Sequence, residues 1–315
     1  MLKKIKPILI VPGEPNSIFF EILFKSLRTK KFKSPIVLIA SHKILKVQMK
    51  KFNFKKKINT IDVQFLSELK LNNKCINFIN INFNKKDTHI YLKNCFDIAF
   101  KILKLKITNK FINGPINKST FLNKKFLGIT EYISYNFKRE KVAMLIYNEK
   151  LSVCPLTTHL PIKIVPKKIN AKLIKEKVYL IDSFFKENRN FKPKIAVTGL
   201  NPHCESILNF NEDQKIITPA IKKLKKEGYN VYGPFPADTI FLKQNRDNYD
   251  VILGMYHDQV LAPIKTIKEY NAINITLGLP FFRISPDHGP NLKMINKNIS
   301  TPLSLIKSIK FLDQK

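Results

Sequence analysis

The sequence predicts an α/β fold on a largely parallel sheet, and three observations carry that prediction. Apolar runs of strand length alternate with stretches whose apolar residues recur at helical spacing. Most of those runs end in a short polar segment rich in Pro or Gly, as strands of α/β units do. The chain has 315 residues and is 44% hydrophobic with 24 Phe, enough core for two ordinary domains or one large unit with a cleft.

The elements follow in order. The start, MLKKIKPILIVPG, has the basic front of a signal peptide, but its apolar run is short and broken by Pro7 and Pro12, so it reads as a first strand. PILIV (7–11) and PIVLIA (35–40) flank SIFFEILFKSLRT, whose apolar spacing is helical. HIYLKNCFDIAFKILKL (89–105) reads as an amphipathic helix. VAMLIYN (142–148) and LSVCPLTT (151–158) read as a hairpin that breaks at Glu149-Lys150. A long helix is expected within 167–187, then a strand KIAVTGL (194–200) and a helix over about 212–226. NVYGPF, DVILGMY (250–256) and INITLGL (273–279) complete the strands, and a terminal helix is expected from about 301. No apolar segment approaches the roughly 20 residues of a membrane helix.

The charge is extreme: 56 Lys+Arg against 23 Asp+Glu, a formal +33. A nucleic-acid binder is one reading. Compositional bias is the favoured one, because Lys, Asn, Ile and Phe share AT-rich codons, Trp is absent and only 9 Gly remain. No specific nucleic acid and no membrane is therefore expected as a partner, although such a surface binds anions without specificity at low salt. Cys75, Cys95, Cys154 and Cys204 form neither a CxxC pair nor a zinc-finger spacing, which points to a reducing cytoplasm.

The polar segments PGEPNS, NGPINKS, TTHLP, GLNPHCES, GPFPADT, MYHDQ and GLPFFRISPDHG each follow a probable strand. Ligands of open α/β sheets bind beyond the carboxyl ends of strands, so several such loops can line one site. Of six histidines, His42 and His89 fall at ordinary helix starts and read as surface residues. His159, His203 and His257 each follow a strand-like run, and three imidazoles make a good divalent-metal site with positions left open for substrate. Each is also open to the plainer reading of a loop cap. Asp238 and Asp258 are candidate fourth ligands or acceptors that orient an imidazole. His288, in SPDHG, is a further candidate, and a tight turn suits its context equally.

Lys265, Asn274 and Arg283 recur at nine-residue intervals, and Arg283 is informative because arginine is scarce here. Such groups at strand ends suit an anionic substrate. NGPINKST (113–120) is a candidate helix start whose free N–H groups face an anion. No GxGxxG is present, so the ordinary dinucleotide fingerprint is missing.

VPGEP, NGPINK, GITEY, TTHLP, GLNPH, GPFPADT, MYHDQ and NITLGLPFFRISPDHG resemble, in order from residue 11 to 289, the motif series of the 4-hydroxythreonine-4-phosphate dehydrogenases, the PdxA family of pyridoxine biosynthesis. The resemblance implies two α/β/α domains with a cleft between them, similar to isopropylmalate dehydrogenase, with 1–125 plus about 290–315 as the first domain and 126–289 as the second. It implies a homodimer whose sites draw on both subunits, a small phosphorylated amino-acid substrate, NAD or NADP, and one divalent ion (Zn, Mg or Co). It implies oxidation of 4-(phosphooxy)-L-threonine followed by decarboxylation to 3-amino-2-oxopropyl phosphate. His159, His203 and His257 correspond to the metal ligands, and Thr130, Lys265, Asn274 and Arg283 to substrate contacts. Lys265 is further expected as a base and Asp238 as a group near the metal.

The sequence departs from the family pattern at three places. Ile129 stands where the family has a His, NSIFF follows GEP in place of Ala-Gly-Ile-Gly, and CESILNF follows NPH in place of a glycine-rich loop. Two alternatives remain open: a metal-dependent dehydrogenase of another phosphorylated hydroxy acid in the same family, and an inactive basic remnant that binds nucleic acid.

Overall fold

The structure is a computed structural model that describes residues 5–117, 121–122, 125–205, 211–287, 289 and 291–315. His288 and the end of NGPINKST lie outside the described residues. The α/β class is borne out, in two compact units: Met1–Tyr132 with Pro280–Lys315, and Ile133–Leu279. Strands and helices are numbered along the chain.

In the first unit the strands are β1 (Ile8–Val11), β2 (Ile36–Ala40), β3 (Ile58–Thr60), β4 (Ile76–Asn80), β5 (Lys110–Asn113) and β12 (Phe282–Pro286). They lie in the order β3-β4-β2-β1-β5-β12, every neighbouring pair parallel. β1 and β2 are wholly buried, which is why they read as continuous apolar runs without alternation. Helices α1 (Phe19–Thr29), α2 (His42–Lys51) and α3 (Thr88–Lys104) supply the crossovers of this parallel sheet. Phenylalanine fills the layers between them: Phe96, Phe100 and Phe111 of α3 and β5 meet Phe121 and Tyr132 with ring centroids between 5.3 and 6.5 Å apart. Such offset and edge contacts add to the area term that dominates burial. Because β12 pairs with β5 (Arg283 opposite Phe111), the segment 280–287 belongs to this unit, whereas the sequence expectation assigned it to the other.

Helix α4 (Ile129–Asn136) leads into the second unit. There the strands are β6 (Ala143–Tyr147), β7 (Ser152–Thr157), β8 (Ile195–Thr198), β9 (Val231–Phe235), β10 (Val251–Tyr256) and β11 (Ile273–Leu277), in the order β11-β6-β7-β10-β8-β9. β6 and β7 form the expected hairpin, and β6 also pairs antiparallel with β11; β7, β10, β8 and β9 run parallel. Helix α5 (Ala171–Arg189) starts where Asn170 caps the Leu173 N–H at 2.9 Å and stops at Asn190, whose φ of 59° a helix cannot continue. The helix expected over about 212–226 is present, opening as a π-helix (Asp213–Ile217) that runs into α6 (Thr218–Lys226). Helix α7 (His257–Lys268) follows β10 without a loop, and α8 (Leu303–Asp313) returns to the first unit. Among the described residues no helix is long and apolar enough to cross a membrane.

Candidate active-site residues

The ladder between β7 and β10 sets two histidines side by side. Thr157 lies opposite Tyr256, and the Thr157 hydroxyl donates to the Met255 carbonyl oxygen at 2.8 Å. His159 and His257 come two residues and one residue later. Their ring centroids are 6.0 Å apart with planes tilted by 39°. Zn–N bonds of about 2.0–2.1 Å in tetrahedral geometry set two imidazoles that share one zinc with centroids about 5.2 Å apart, so this pair would have to close by about 1 Å to share an ion. His257 Nδ1 lies 2.6 Å from Asp258 Oδ1. With the proton on Nδ1, the Nε2 lone pair is left for a cation, the arrangement by which a carboxylate orients a ligating imidazole.

The next strands bring the other two candidates to the same edge of the second unit's sheet. β8 and β9 pair through Thr198 and Phe235, and the Gly199 N–H donates to the Phe235 carbonyl at 2.9 Å. His203 follows β8 in a tight turn (Pro202–Cys204) with left-handed φ 56° and ψ 13°, and it is exposed. Asp238 is exposed in the short helix Ala237–Ile240 after β9. Burial first, then the charges of Asp213, Asp238 and Glu205, push the Cys204 thiol up to about 11. Cys204 is thus a thiol at neutral pH. Among the described residues of one chain, no three His, Cys, Asp or Glu side chains gather closely enough to hold a metal ion.

Lys265 is exposed on α7, eight residues beyond His257 and so about 12 Å along the helix axis. Its side chain tilts back toward the helix start, as all helical side chains do. Asn274 is half-buried in β11 opposite Ile146, and its buried Oδ1 has no hydrogen-bond donor among the described residues. An acceptor left in that state is costly unless something answers it.

The remaining candidates lie in the first unit. Arg283, in β12, is only 1% exposed, although the sequence reading placed it among ligand-facing groups. Its Nε donates to Asn113 Oδ1 at 2.7 Å, and its Nη1 reaches the Thr130 hydroxyl at 3.5 Å. Burial pulls the guanidinium down to about 10, and the charge of nearby Glu131 opposes that shift. Ile129, Thr130 and Glu131 form the first turn of α4, with Ile129 and Thr130 half-buried. His89 is exposed as expected, whereas His42 is half-buried with its ring 5.9 Å from Phe78.

Sequence reasoning missed three residues that hold these groups. Asn113 accepts from Arg283, Gln259 ties the ends of β8 and β10, and Asp213 binds the loop before His203. Only Asn113 and Gln259 lay inside quoted motifs, and nothing in their spacing distinguished an anchor from a turn residue.

Comparison with known proteins shows the family and the fold. A 4-hydroxythreonine-4-phosphate dehydrogenase from Sulfurihydrogenibium sp. (strain YO3AOP1) is 36% identical over 312 residues, covering 95% of each chain. One from Wigglesworthia glossinidia brevipalpis is 35% identical, covering 98% of this chain and 96% of that one. The crystal structure of the Klebsiella pneumoniae enzyme of that name superposes with a TM-score of 0.82 at 27% identity, covering 98% of both chains. A terephthalate 1,2-cis-dihydrodiol dehydrogenase from Burkholderia xenovorans LB400 shares the fold at 18% identity and a TM-score of 0.62. The model of the pyridoxal phosphate biosynthetic protein PdxA matches residues 31–312, and the chain belongs to that family.

Proposed function

We propose that this chain is an NAD(P)-dependent 4-hydroxythreonine-4-phosphate dehydrogenase acting in the cytoplasm. It oxidises the secondary alcohol of 4-(phosphooxy)-L-threonine, passing hydride to NAD(P)+ and a proton to the enzyme. The product, 2-amino-3-oxo-4-(phosphooxy)butanoate, then loses CO2 to give 3-amino-2-oxopropyl phosphate. The observation that carries this reading is the His159–His257 pair, with Asp258 on Nδ1 of His257, in a chain of this family.

His159 and His257 hold a divalent ion (Zn, Mg or Co), and a homodimer completes the ligand set with His203. When bound, that ion acidifies the substrate hydroxyl and stabilises negative charge on the oxygen during decarboxylation. Lys265 takes the hydroxyl proton as a general base. Asp238 orients a ligand imidazole. Arg283 supplies positive charge and Thr130 a hydroxyl to the substrate's anionic groups. Asn274 accepts from the substrate's ammonium, which answers its orphaned carbonyl oxygen.

The test is reduction of NAD+ or NADP+ with 4-(phosphooxy)-L-threonine before and after chelation. Chelation should abolish turnover, and Zn, Mg or Co should restore it. His257→Ala should lose at least about a hundredfold in kcat/KM, about 2.7 kcal/mol of transition-state stabilisation, with an unchanged thermal midpoint. Full turnover in chelated protein, or in His257→Ala, contradicts the proposal.

A further inference from the structure

Asp213 is wholly buried and belongs to none of the motifs above. A carboxylate taken out of water must have its lone pairs answered. Here one loop answers them. Oδ1 accepts from the Leu200 N–H at 2.7 Å, and Oδ2 from the Asn201 N–H at 3.1 Å and the Asn201 side-chain amide at 2.8 Å. Hydrogen bonds from consecutive backbone amides to an ionised oxygen are strong and fix the local backbone. The fit is close. A Cβ at Gly199 would lie 2.6 Å from Asp213 Oδ1 and 2.6 Å from Cys204 Sγ, so the loop closes on the carboxylate only where no side chain intervenes.

The same loop is tied at its root. Gln259, two residues beyond His257, donates from Nε2 to the Gly199 carbonyl at 2.8 Å. Its Oε1 accepts from the Met255 N–H and the Thr198 hydroxyl, both at 2.7 Å. Two residues past the Asp213 contacts, His203 and Cys204 both take left-handed backbone conformations, with φ 56° and 61°. Residues with a Cβ hold such a conformation only when their surroundings impose it. Among the described residues, Asp213 and Gln259 hold this loop together with the Phe235 carbonyl, which accepts from the Gly199 N–H at 2.9 Å, and Glu212 Oε2, which accepts from the Asn201 side-chain amide at 3.1 Å.

We infer that Asp213 is a positioning residue for His203, its carboxylate fixing the backbone from which that imidazole is presented to a divalent cation. The inference rests on the reading of His203 as a ligand. Asp213 touches neither cation nor substrate and acts only through the loop.

Zn2+ affinity of the full-length protein, measured by competition with a chromophoric chelator, tests it, with the visible spectrum of the Co2+ form as a second readout. Asp213→Asn keeps the size but turns an NH2 group against N–H donors. It should weaken Zn2+ binding by about tenfold or more, the usual effect of losing a group that orients a ligand, and shift the Co2+ bands. In a His203→Ala background the same substitution should add nothing, because its effect passes through His203. Gly199→Ala displaces the loop while keeping the carboxylate, and should reproduce both results if Asp213→Asn fails to fold. Wild-type Zn2+ affinity in Asp213→Asn, or an equal loss with and without His203, overturns the inference and leaves the ligand reading standing. Wild-type affinity in His203→Ala overturns both.

Discussion

At Ile129 a single side chain departs from the family pattern. The family pattern has an imidazole there, and an isoleucine donates no hydrogen bond. Ile129 opens α4 beside Thr130, whose hydroxyl is within 3.5 Å of Arg283 Nη1. Thr130 and Arg283 therefore still bring a hydroxyl and a cation to this turn, and the imidazole donor alone is missing. Ile129→His should lower KM for 4-(phosphooxy)-L-threonine by about tenfold, equivalent to about 1.4 kcal/mol for one recovered contact. A contact remote from the reacting carbon acts alike in ground and transition states, so kcat should change less. Steady-state kinetics of the variant decide it, and an unchanged KM means that another basic side chain already fills the role. Motif order points to residues of this kind. Asn113 and Asp213 were not legible, because a buried acceptor announces itself only through the donors that fold around it, and those come from distant segments.

Among elements, the loops after β1 and β5 lock together. The Glu14 N–H donates to the Pro115 carbonyl at 2.8 Å, the Gly114 N–H to the Val11 carbonyl at 2.8 Å, and the Asn117 N–H to Glu14 Oε1 at 2.9 Å. A Cβ at Gly114 would fall 1.9 Å from the Pro12 carbonyl oxygen, so the crossing demands glycine. Burial raises the Glu14 carboxyl above its ordinary value, and the Asn117 N–H only partly offsets this. For an acid whose folded pKa lies above its unfolded one, the protonated form favours folding. That contribution is complete below the unfolded pKa and is lost as pH rises through the folded pKa. Gln at position 14 keeps an acceptor for Asn117 without the buried charge. Glu14→Gln should therefore melt above the wild type at pH 8, with the gap closing toward pH 4. A variant that melts lower at pH 8 shows that the charged hydrogen bond outweighs desolvation. The strands themselves were legible, since their buried runs admit few readings. The helix over about 212–226 was legible too, but its π opening at Asp213–Ile217 was not, because its start depends on Asn211 accepting from the Asp213 N–H at 2.8 Å, a local bond with no periodic signature.

For the molecule as a whole, the net charge of +33 asks whether the surface has a second task. Lysine occupies the outward face of ordinary amphipathic helices. In α6, Lys222, Lys223, Lys225 and Lys226 are exposed while Ala220, Ile221 and Leu224 are buried; in α2, Lys43, Lys46 and Lys50 are exposed while Ile44 and Leu45 are buried. In these two helices the basic residues thus follow the helix period. Single-strand binders pair such charge with aromatic platforms on which bases stack. Among the described residues the most exposed aromatics, Tyr135, Tyr179 and Phe65, sit on separate elements, α4, α5 and the turn Val63–Phe65. Phosphate contacts without base contacts give affinity but no sequence preference. The protein should bind random and defined DNA duplexes equally at 50 mM salt. If 6–10 lysines engage phosphates, that affinity should fall by about 10³–10⁵-fold by 200 mM, with a linear log–log slope. Fluorescence anisotropy titrations across salt measure both quantities. Affinity that survives at 200 mM and separates one sequence from another would require a recognition surface that these scattered lysines do not build.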